Sequence, residues 1–195
     1  GYGVYVDFDG EAALDDLRIE RATRGGLVVG DGYSRVLVTD AVIADMLPGD
    51  QGELGRCATV GRGGWLSLSE FELNACMESG ASVADMAVLE LHVGTIEGVL
   101  AGRNENSGAG VLAAPAGLVR ATDVTILGPE TFGVFVDVNG GADLNGVSIA
   151  GASLAGVATR GGHVELTASS ISMAGQGYGV AGWVSTGGAE GDLLV

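Results

Sequence analysis

Short runs of alternating apolar and polar residues dominate the chain and recur at a regular spacing. Residues 133–155, GVFVDVNGGADLNGVSIAGASLA, align without a gap with residues 3–25, GVYVDFDGEAALDDLRIERATRG. Both segments contain G-V-x-V, then a turn, then the signature apolar-x-apolar-x-x-apolar-x-apolar. Alternation with a period of two is typical of β-strands, and the two-residue skip indicates a bend between strands. No run keeps the period of about 3.6 residues that a helix needs, so we predict an all-β chain.

The second half of this signature recurs along the chain, beginning at residues 12, 36, 66, 91, 119, 142 and 164. Between residues 74 and 98 a window that starts at Ala81 competes with one that starts at Leu91. We favour Leu91, because the other start would leave one repeat far shorter than the rest. Glycines at 110, 133, 156 and 179 open successive repeats at a constant spacing. A period of this length is typical of solenoids, so we predict a single domain, residues 1–195, of about eight coils of ~23 residues.

The inward side chains of such coils stack into apolar columns. We expect the following column residues to be nearly inaccessible to solvent: Val4, Val6, Leu14, Leu17, Ile19, Val134, Val136, Leu144, Val147 and Ile149. Paired glycines are predicted to form the corners between strands, where a positive φ is needed. These pairs are Gly25-Gly26, Gly63-Gly64, Gly140-Gly141 and Gly161-Gly162.

The combination G-V-x-V followed by A-x-L-x-x-V-x-I, as in Gly133 to Ile149, resembles the repeats of right-handed parallel β-helix proteins, the group that includes the pectate-lyase-like fold. The handedness is implied by this resemblance and not by the periodicity. The resemblance covers nearly the whole chain, but the fold hosts lyases, hydrolases, epimerases, adhesins and surface repeats. The richness in Gly, Val and Ala, with Arg in place of Lys, resembles repeat-rich surface proteins of bacteria with GC-rich genomes. The resemblance therefore implies a secreted or cell-surface location.

Composition and charge narrow the choice of partners. An apolar content of 47% argues against a disordered chain. There are 25 acidic residues against nine basic ones, all of them Arg, which gives a net charge of −16. A field this negative repels phosphate backbones and anionic membrane surfaces, so we expect no nucleic-acid partner. No apolar run approaches the ~20 residues of a membrane span, so we expect no transmembrane segment.

Cys57 and Cys76 are the two cysteines of the chain. No CxxC or Cys/His cluster is present, so a structural zinc site is not expected. The separation of the two cysteines is somewhat less than one coil, which places both near one corner of adjacent coils. They form either a disulfide, which would imply an oxidising compartment, or two free thiols.

Two coils are longer than the others, with extra residues at 44–57 and 98–110. Both insertions follow the signature and precede the next coil opening, so they should emerge at the same corner, two coils apart. They contain the candidate ligand-binding residues Asp50, Glu53, Arg56, Arg103, Asn104, Glu105 and Asn106. Trp65 should face outward, where it can stack on a sugar ring. The alternatives are plain variation in loop length and a Trp that covers a corner.

No catalytic or metal-binding motif emerges. Asp7-Phe8-Asp9-Gly10 resembles part of a calcium loop but lacks the later Glu, so calcium is compatible with the sequence without a motif that supports it, and no cofactor is predicted. Polysaccharide lyases of the resembled group use clusters of Asp or Glu to bind calcium, with Arg or Lys as base. Arg160 follows Asp137 by one coil, and we interpret this pair as a surface contact. His92 and His163 are predicted at the surface.

These observations favour a non-catalytic extracellular β-helix module, structural or adhesive, that presents a surface to a polysaccharide or a surface protein. The alternative is a carbohydrate-active enzyme, a polysaccharide lyase or glycoside hydrolase, or a degenerate relative, with its site at loops 44–57 and 98–110. An enzyme should bring two or three carboxylates, or a carboxylate and an Arg, within about 6 Å in a concave site. The signature runs close to both termini, so we also expect a fragment of a longer solenoid that can associate end to end.

Overall fold

The computed structural model describes residues 1–48, 55–102, 108–183 and 193–194, and these residues are all-β with no helix. In chain order the strands are β1 (Tyr2–Val6), β2 (Glu11–Glu20), β3 (Gly25–Val29), β4 (Arg35–Ala44), β5 (Arg56–Val60), β6 (Trp65–Asn74), β7 (Ser79–Val83), β8 (Val88–Glu97), β9 (Ala109–Ala113), β10 (Leu118–Leu127), β11 (Phe132–Val136), β12 (Gly141–Asn145), β13 (Ser148–Ala152), β14 (Ala155–Arg160), β15 (His163–Thr167), β16 (Ser170–Met173), β17 (Tyr178–Trp183) and β18 (Leu193–Leu194).

The strands form two parallel sheets, and the chain passes repeatedly from one sheet to the other. Within the described residues, one sheet has eight strands in the order β1-β3-β5-β7-β9-β11-β14-β17. The other has ten, with the path β2-β4-β6-β8-β10-β12-β15-β18 and with β13 and β16 continuing beside β10. The prediction of an all-β chain with parallel strands is confirmed, and the arrangement is compatible with a β-helix.

Register partners in the eight-stranded sheet show the repeat length directly. Most partners, such as Val111 and Val134, are separated by the same interval as the glycines that open successive repeats. Two offsets are several residues longer, the one between Leu27 and Ala58 and the one between Ala81 and Val111. The extra residues lie where the sequence places its two insertions.

The core between the sheets consists of apolar columns that run from strand to strand. One column follows the predicted signature starts, with a single exception, through Ala12, Val36, Leu66, Leu89, Val119, Ala142 and Val164. Six of the ten residues predicted to be inaccessible are buried, namely Ile19, Val134, Val136, Leu144, Val147 and Ile149. The prediction was too strong for the other four, which are half-buried: Val4, Val6, Leu14 and Leu17. They lie in β1 and β2, the outermost strands of the two sheets, which in the described part of the chain have a neighbouring strand on one side only.

A bend divides each ten-residue strand of the second sheet. In β4 the buried positions are Val36, Val38, Ala41 and Ile43, so the alternation changes phase between residues 38 and 41. The residue at the bend has a positive φ of 50–55° in five successive strands: Asp16, Asp40, Glu70, Val93 and Asp123. Asp tolerates this conformation because its short side chain can bond locally to the backbone, whereas a β-branched residue such as Val93 is strained in it. The bend is the two-residue skip of the sequence signature.

One predicted register was wrong. Leu89, Leu91 and Ile96 occupy the columns of Leu66, Leu68 and Leu73, so this signature starts at residue 89 and not at 91. Val93 is 56% exposed at the bend instead of buried. The sequence pattern fails here because Gly94 stands where the preceding strand has Phe71. A Cβ on Gly94 would lie 2.6 Å from the Phe71 ring, so the aromatic ring fills the space of the missing side chain.

Glycines also occupy a column inside the eight-stranded sheet. A Cβ on any of them would lie 2.2–2.4 Å from the Cγ2 atom of an Ile from the other sheet, as for the pairs Gly3–Ile19, Gly26–Ile43, Gly80–Ile96, Gly110–Ile126, Gly133–Ile149 and Gly156–Ile171. The column is interrupted at Cys57, where the matching residue of the other sheet is Leu73. Because Leu has no branch at Cβ, it leaves room for a side chain at position 57. The expectation that Gly25-Gly26 forms a corner was therefore wrong: both residues lie in β3, and Gly26 is required by packing.

Candidate functional site

The outward side of the ten-stranded sheet is a continuous surface of mainly polar side chains. We call it the outer face and define it by three rows of register partners. The first row is Glu11, Arg35, Trp65, Val88, Leu118, Gly141 and His163; the second is Ala13, Leu37, Ser67, Glu90, Arg120, Asp143 and Glu165; the third is Asp15, Thr39, Ser69, His92, Thr122, Asn145 and Thr167. Each row presents one side chain per strand, at a spacing of about 4.8 Å.

Trp65 lies at one end of the outer face, in a shallow depression. It begins β6, is partly exposed, and is the register partner of Arg35. The depression has a volume of about 420 Å³ and is lined by Glu11, Arg35, Leu37, Trp65 and the small side chains of β2. An aromatic ring beside an exposed apolar side chain and one pair of opposite charges is suited to the mixed apolar and hydroxyl surface of a sugar.

A second depression, of about 380 Å³, lies further along the same face and contains a row of charges. Arg120 Nη1 is 3.1 Å from Glu90 Oε1, and Arg120 Nε is 3.9 Å from Asp143 Oδ2. Asn145, Glu165, Thr122 and Thr167 complete the lining. The arrangement brings a guanidinium, two carboxylates and three neutral hydrogen-bonding side chains onto one concave surface, and Glu90 lies beside it.

The predicted cleft between the two insertions falls largely on residues outside the described part of the chain: Asp50, Glu53, Arg103, Asn104, Glu105 and Asn106. Arg56 is described, and its Nη2 atom is 3.0 Å from Oε2 of Glu78, a carboxylate that is 3% exposed. The backbone N–H of Gly108 donates to the carbonyl oxygen of Glu78. The described ends of both insertions therefore converge on Glu78, as expected for insertions at one corner. Trp65 does not join them, because it belongs to the outer face.

Cys57 and Cys76 form a disulfide close to this corner. Their Cα atoms are 5.5 Å apart, and both residues are fully buried. Cys57 follows Arg56 directly, and Cys76 precedes Glu78 by two residues. The disulfide and the ion pair thus fasten the same two stretches of chain.

Asp137 and Arg160 form the ion pair that the sequence places one coil apart. Arg160 Nε and Nη2 donate to the two carboxylate oxygens at 2.9 and 2.8 Å, and the guanidinium lies 5.9 Å from the centre of the Phe135 ring. Burial alone would raise the pKa of Asp137, but the hydrogen bonds from Arg160 and from the Val138 N–H lower it overall. The pair lies beside Phe132 and Phe135, whose rings are buried on the outward side of the eight-stranded sheet. The guanidinium of the pair thus lies against this aromatic cluster.

The Asp7-Phe8-Asp9-Gly10 turn uses its carboxylates internally. Tyr5 Oη donates to Asp7 Oδ2 at 2.8 Å, and the Tyr33 N–H donates to Asp9 Oδ1 at 3.0 Å. Burial acts to raise the pKa of Asp7, but hydrogen bonds from Tyr5 and from backbone N–H groups lower it overall. Among the described residues, no group of three or more His, Cys, Asp or Glu side chains is placed to hold a metal ion. The described part of the chain also contains no helix with the length and apolar character of a membrane span.

Sequence reasoning missed the row Glu90–Arg120–Asp143, although the signal was present. These residues directly follow the signature positions Leu89, Val119 and Ala142, so a correct register would have aligned them. The misplaced start at residue 91 concealed Glu90. The Arg56–Glu78 pair had no comparable signal, because Glu78 lies outside the repeated signature, in a left-handed conformation with φ 61°.

Comparison of the chain with protein-family models, with curated proteins and with solved structures gave no match.

Proposed function

We propose that the chain is a non-catalytic, extracellular or cell-surface module with a right-handed parallel β-helix fold of about eight coils, and that its outer face binds a polysaccharide. The parallel sheets and the constant offset between most register partners support the fold. The right-handed winding rests on the family resemblance and on the strong general preference of parallel crossover connections for this hand.

The observation that carries the binding proposal is the presence of two depressions on one face. Arg35 in β4 and Asp143 in β12 line different depressions and are separated by four strand spacings, about 20 Å. The third row of the outer face consists of polar side chains only and runs between the two depressions without interruption, so an extended chain laid across the strands would contact both depressions. A small ligand would use only one of them, whereas a polymer gains from both.

The extracellular location is supported by the disulfide. A disulfide that is fully buried between adjacent coils is expected in a protein that matures in an oxidising compartment. The net charge of −16 favours solubility and disfavours contact with nucleic acid. We further propose that the outermost strands β1 and β2, with Tyr2 and Tyr5 about half exposed beside them, allow end-to-end association.

A carbohydrate-active enzyme is the second candidate, and one observation favours it. Arg120 and Asp143 satisfy the expected minimum of an Arg and a carboxylate within about 6 Å in a concave site. Against it, Arg120 is held between two carboxylates, so its charge is not free to act on a substrate without breaking an ion pair. We therefore favour polysaccharide binding over catalysis as the function.

The test is a polysaccharide-binding screen with the intact protein, Trp65→Ala and, as a control, Tyr33→Ala, which removes an exposed aromatic ring outside the outer face. We expect the intact protein to bind one class of glycan and Trp65→Ala to weaken binding about fivefold to tenfold, the loss of one aromatic stacking contact. Tyr33→Ala should bind normally. Parallel arms with calcium and with a chelator test a calcium requirement. Release of shortened or unsaturated sugars would favour the enzyme, and absence of binding to every glycan would reject the proposal.

A further inference from the structure

The second row of the outer face carries the charges in the order Glu90, Arg120, Asp143, Glu165, on four neighbouring strands. The first three alternate in sign and form ion pairs, but Asp143 and Glu165 are direct register partners of the same sign. Both are exposed, and among the ion pairs of the described residues none reaches Glu165. Like charges directly opposite each other on a sheet are destabilising, so Asp143 and Glu165 repel each other in the free protein.

We infer that this repulsion determines which ligand binds: the outer face binds a polysaccharide that bears protonated amines. An amine of the polymer lies between Asp143 and Glu165. This inference rests on the proposed function, since it names the class of polysaccharide. A cation placed between the two carboxylates relieves their repulsion and completes the alternation of charge along the row. Asn145 and Thr167, in the next row of the same strands, are placed to bond the sugar hydroxyls.

The charge of the whole face points to the same class of ligand. Its three rows hold five carboxylates (Glu11, Asp15, Glu90, Asp143 and Glu165) against two guanidinium groups (Arg35 and Arg120) and two imidazoles (His92 and His163). Asp16, Asp40, Glu70 and Asp123 at the adjacent bend add four more negative charges. Polysaccharides of uronic acids or sulfated sugars are therefore repelled, neutral ones are tolerated, and amine-bearing ones are attracted.

The experiment compares two oligosaccharides that share one ring and one linkage but differ in charge, together with an anionic oligosaccharide of a different sugar. The probes are glucosamine oligomers, N-acetylglucosamine oligomers of equal length, and galacturonic acid oligomers as the anionic reference. Titration calorimetry is performed near pH 5.5, where sugar amines are protonated and carboxylates are ionised. We expect the glucosamine oligomers to bind about fivefold more tightly than the acetylated ones, the effect of about one exposed ion pair, and the galacturonic acid oligomers not to bind.

Variants locate the effect. Glu165→Gln should abolish the preference for the amine, so that the amine-bearing and acetylated oligomers bind this variant with equal affinity. The double variant Glu72→Gln/Glu97→Gln is the control, because it removes two exposed carboxylates beyond the bend and should keep the full preference. The preference should also shrink in about 0.5 M salt, whereas binding of the acetylated oligomer should not.

The outcomes separate the two proposals. Equal affinity for the amine-bearing and acetylated oligomers would overturn the inference and leave the proposed function standing. Failure to bind any oligosaccharide would overturn both. A preference for the amine that survives in Glu165→Gln, or an oligolysine of equal charge that binds as tightly as the glucosamine oligomer, would show general attraction of cations and would also overturn the inference.

Discussion

Leu144 and Asp143 are neighbours in β12, but they face opposite sides of the same strand. Leu144 is 2% exposed in an apolar column, while the Asp143 side chain is 52% exposed on the outer face. Inside, each position is limited by atoms of the next strand and of the opposite sheet, as the glycine and isoleucine pairs illustrate. Outside, a side chain meets one neighbour on each adjacent strand and otherwise water. The inward residues therefore determine the fold, whereas the outward residues can vary without changing it and can be selected for binding a ligand.

The largest expected effect is the introduction of a charge into the interior. Leu144→Asp places a carboxylate in an apolar column without a partner, which should destabilise the fold by about 4–5 kcal/mol and abolish cooperative unfolding. Leu37→Asp is the matched control, because Leu37 is 45% exposed on the outer face. Its cost should stay below about 0.5 kcal/mol in urea unfolding monitored by circular dichroism. Similar losses for the two variants would remove the distinction between inside and outside.

A smaller effect tests the pairing of glycine with isoleucine. In Gly80→Ala the new Cβ would lie 2.4 Å from Ile96 Cγ2, and we expect a loss of about 2–3 kcal/mol from overpacking. Ile96→Leu removes that methyl group, as at the natural pair Cys57 and Leu73. A double-mutant cycle should therefore show that Gly80→Ala costs about 1 kcal/mol less in the Ile96→Leu background. Strict additivity of the two changes would refute a direct steric pairing.

The Asp137–Arg160 pair lies between these extremes of burial and makes stability depend on pH. Because the native pKa of Asp137 is lowered, its contribution is complete above the unfolded-state pKa, near 4, and is lost as the pH falls through the native value. Asp137→Asn should cost about 1 kcal/mol at pH 7, after allowance for solvent screening, and clearly less at pH 3. Urea unfolding of both proteins at the two pH values gives the difference; a constant difference would contradict the assignment.

Val93 offers a test in the opposite direction, because it carries strain at the surface. Its φ of 50° matches that of the Asp residues at the same bend, but its side chain is β-branched. Val93→Asn should stabilise the fold by about 0.5–1 kcal/mol, since Asn adopts this conformation more readily. The same substitution at Val42, a half-buried residue outside the bend, should not stabilise. Thermal unfolding of both variants decides between relief of strain and a general effect of Asn.

The smallest effect is expected for the charges of the outer face. Arg120→Gln breaks its contacts with Glu90 and Asp143, but the groups are exposed enough for water to replace them. The free energy of unfolding should change by less than about 0.5 kcal/mol. A decrease of more than about 1 kcal/mol in the free energy of unfolding, measured in urea, would show that the ion pairs of this row stabilise the fold, contrary to a role in ligand binding alone.

The alternation of apolar residues predicts the parallel all-β architecture and most of its register, because inward side chains must repeat wherever strands stack. It fails at Gly94, because the Phe71 ring of the neighbouring strand fills the position of the missing side chain. The order of apolar and polar residues along the chain does not show such packing between strands. It also misplaces Gly25-Gly26 at a corner, because a glycine required by packing and one required by φ look the same in sequence. The row Glu90–Arg120–Asp143 could be predicted only once the register was right. The Arg56–Glu78 pair depends on a left-handed Glu outside the repeat and could not.

The strand order also determines how the molecule would respond to tension. β1 and β17 occupy opposite edges of the eight-stranded sheet, and within the described ranges every strand of this sheet between them pairs only with its two neighbours. A force applied between the two ends would act along the backbone hydrogen bonds and load them one strand at a time, so coils would peel off in sequence at low force instead of shearing together. The disulfide joins Cys57 to Cys76, which are separated by 19 residues in sequence, so the residues between them would not lengthen the chain when it is stretched. Such a molecule would act as an extensible tether rather than a rigid strut.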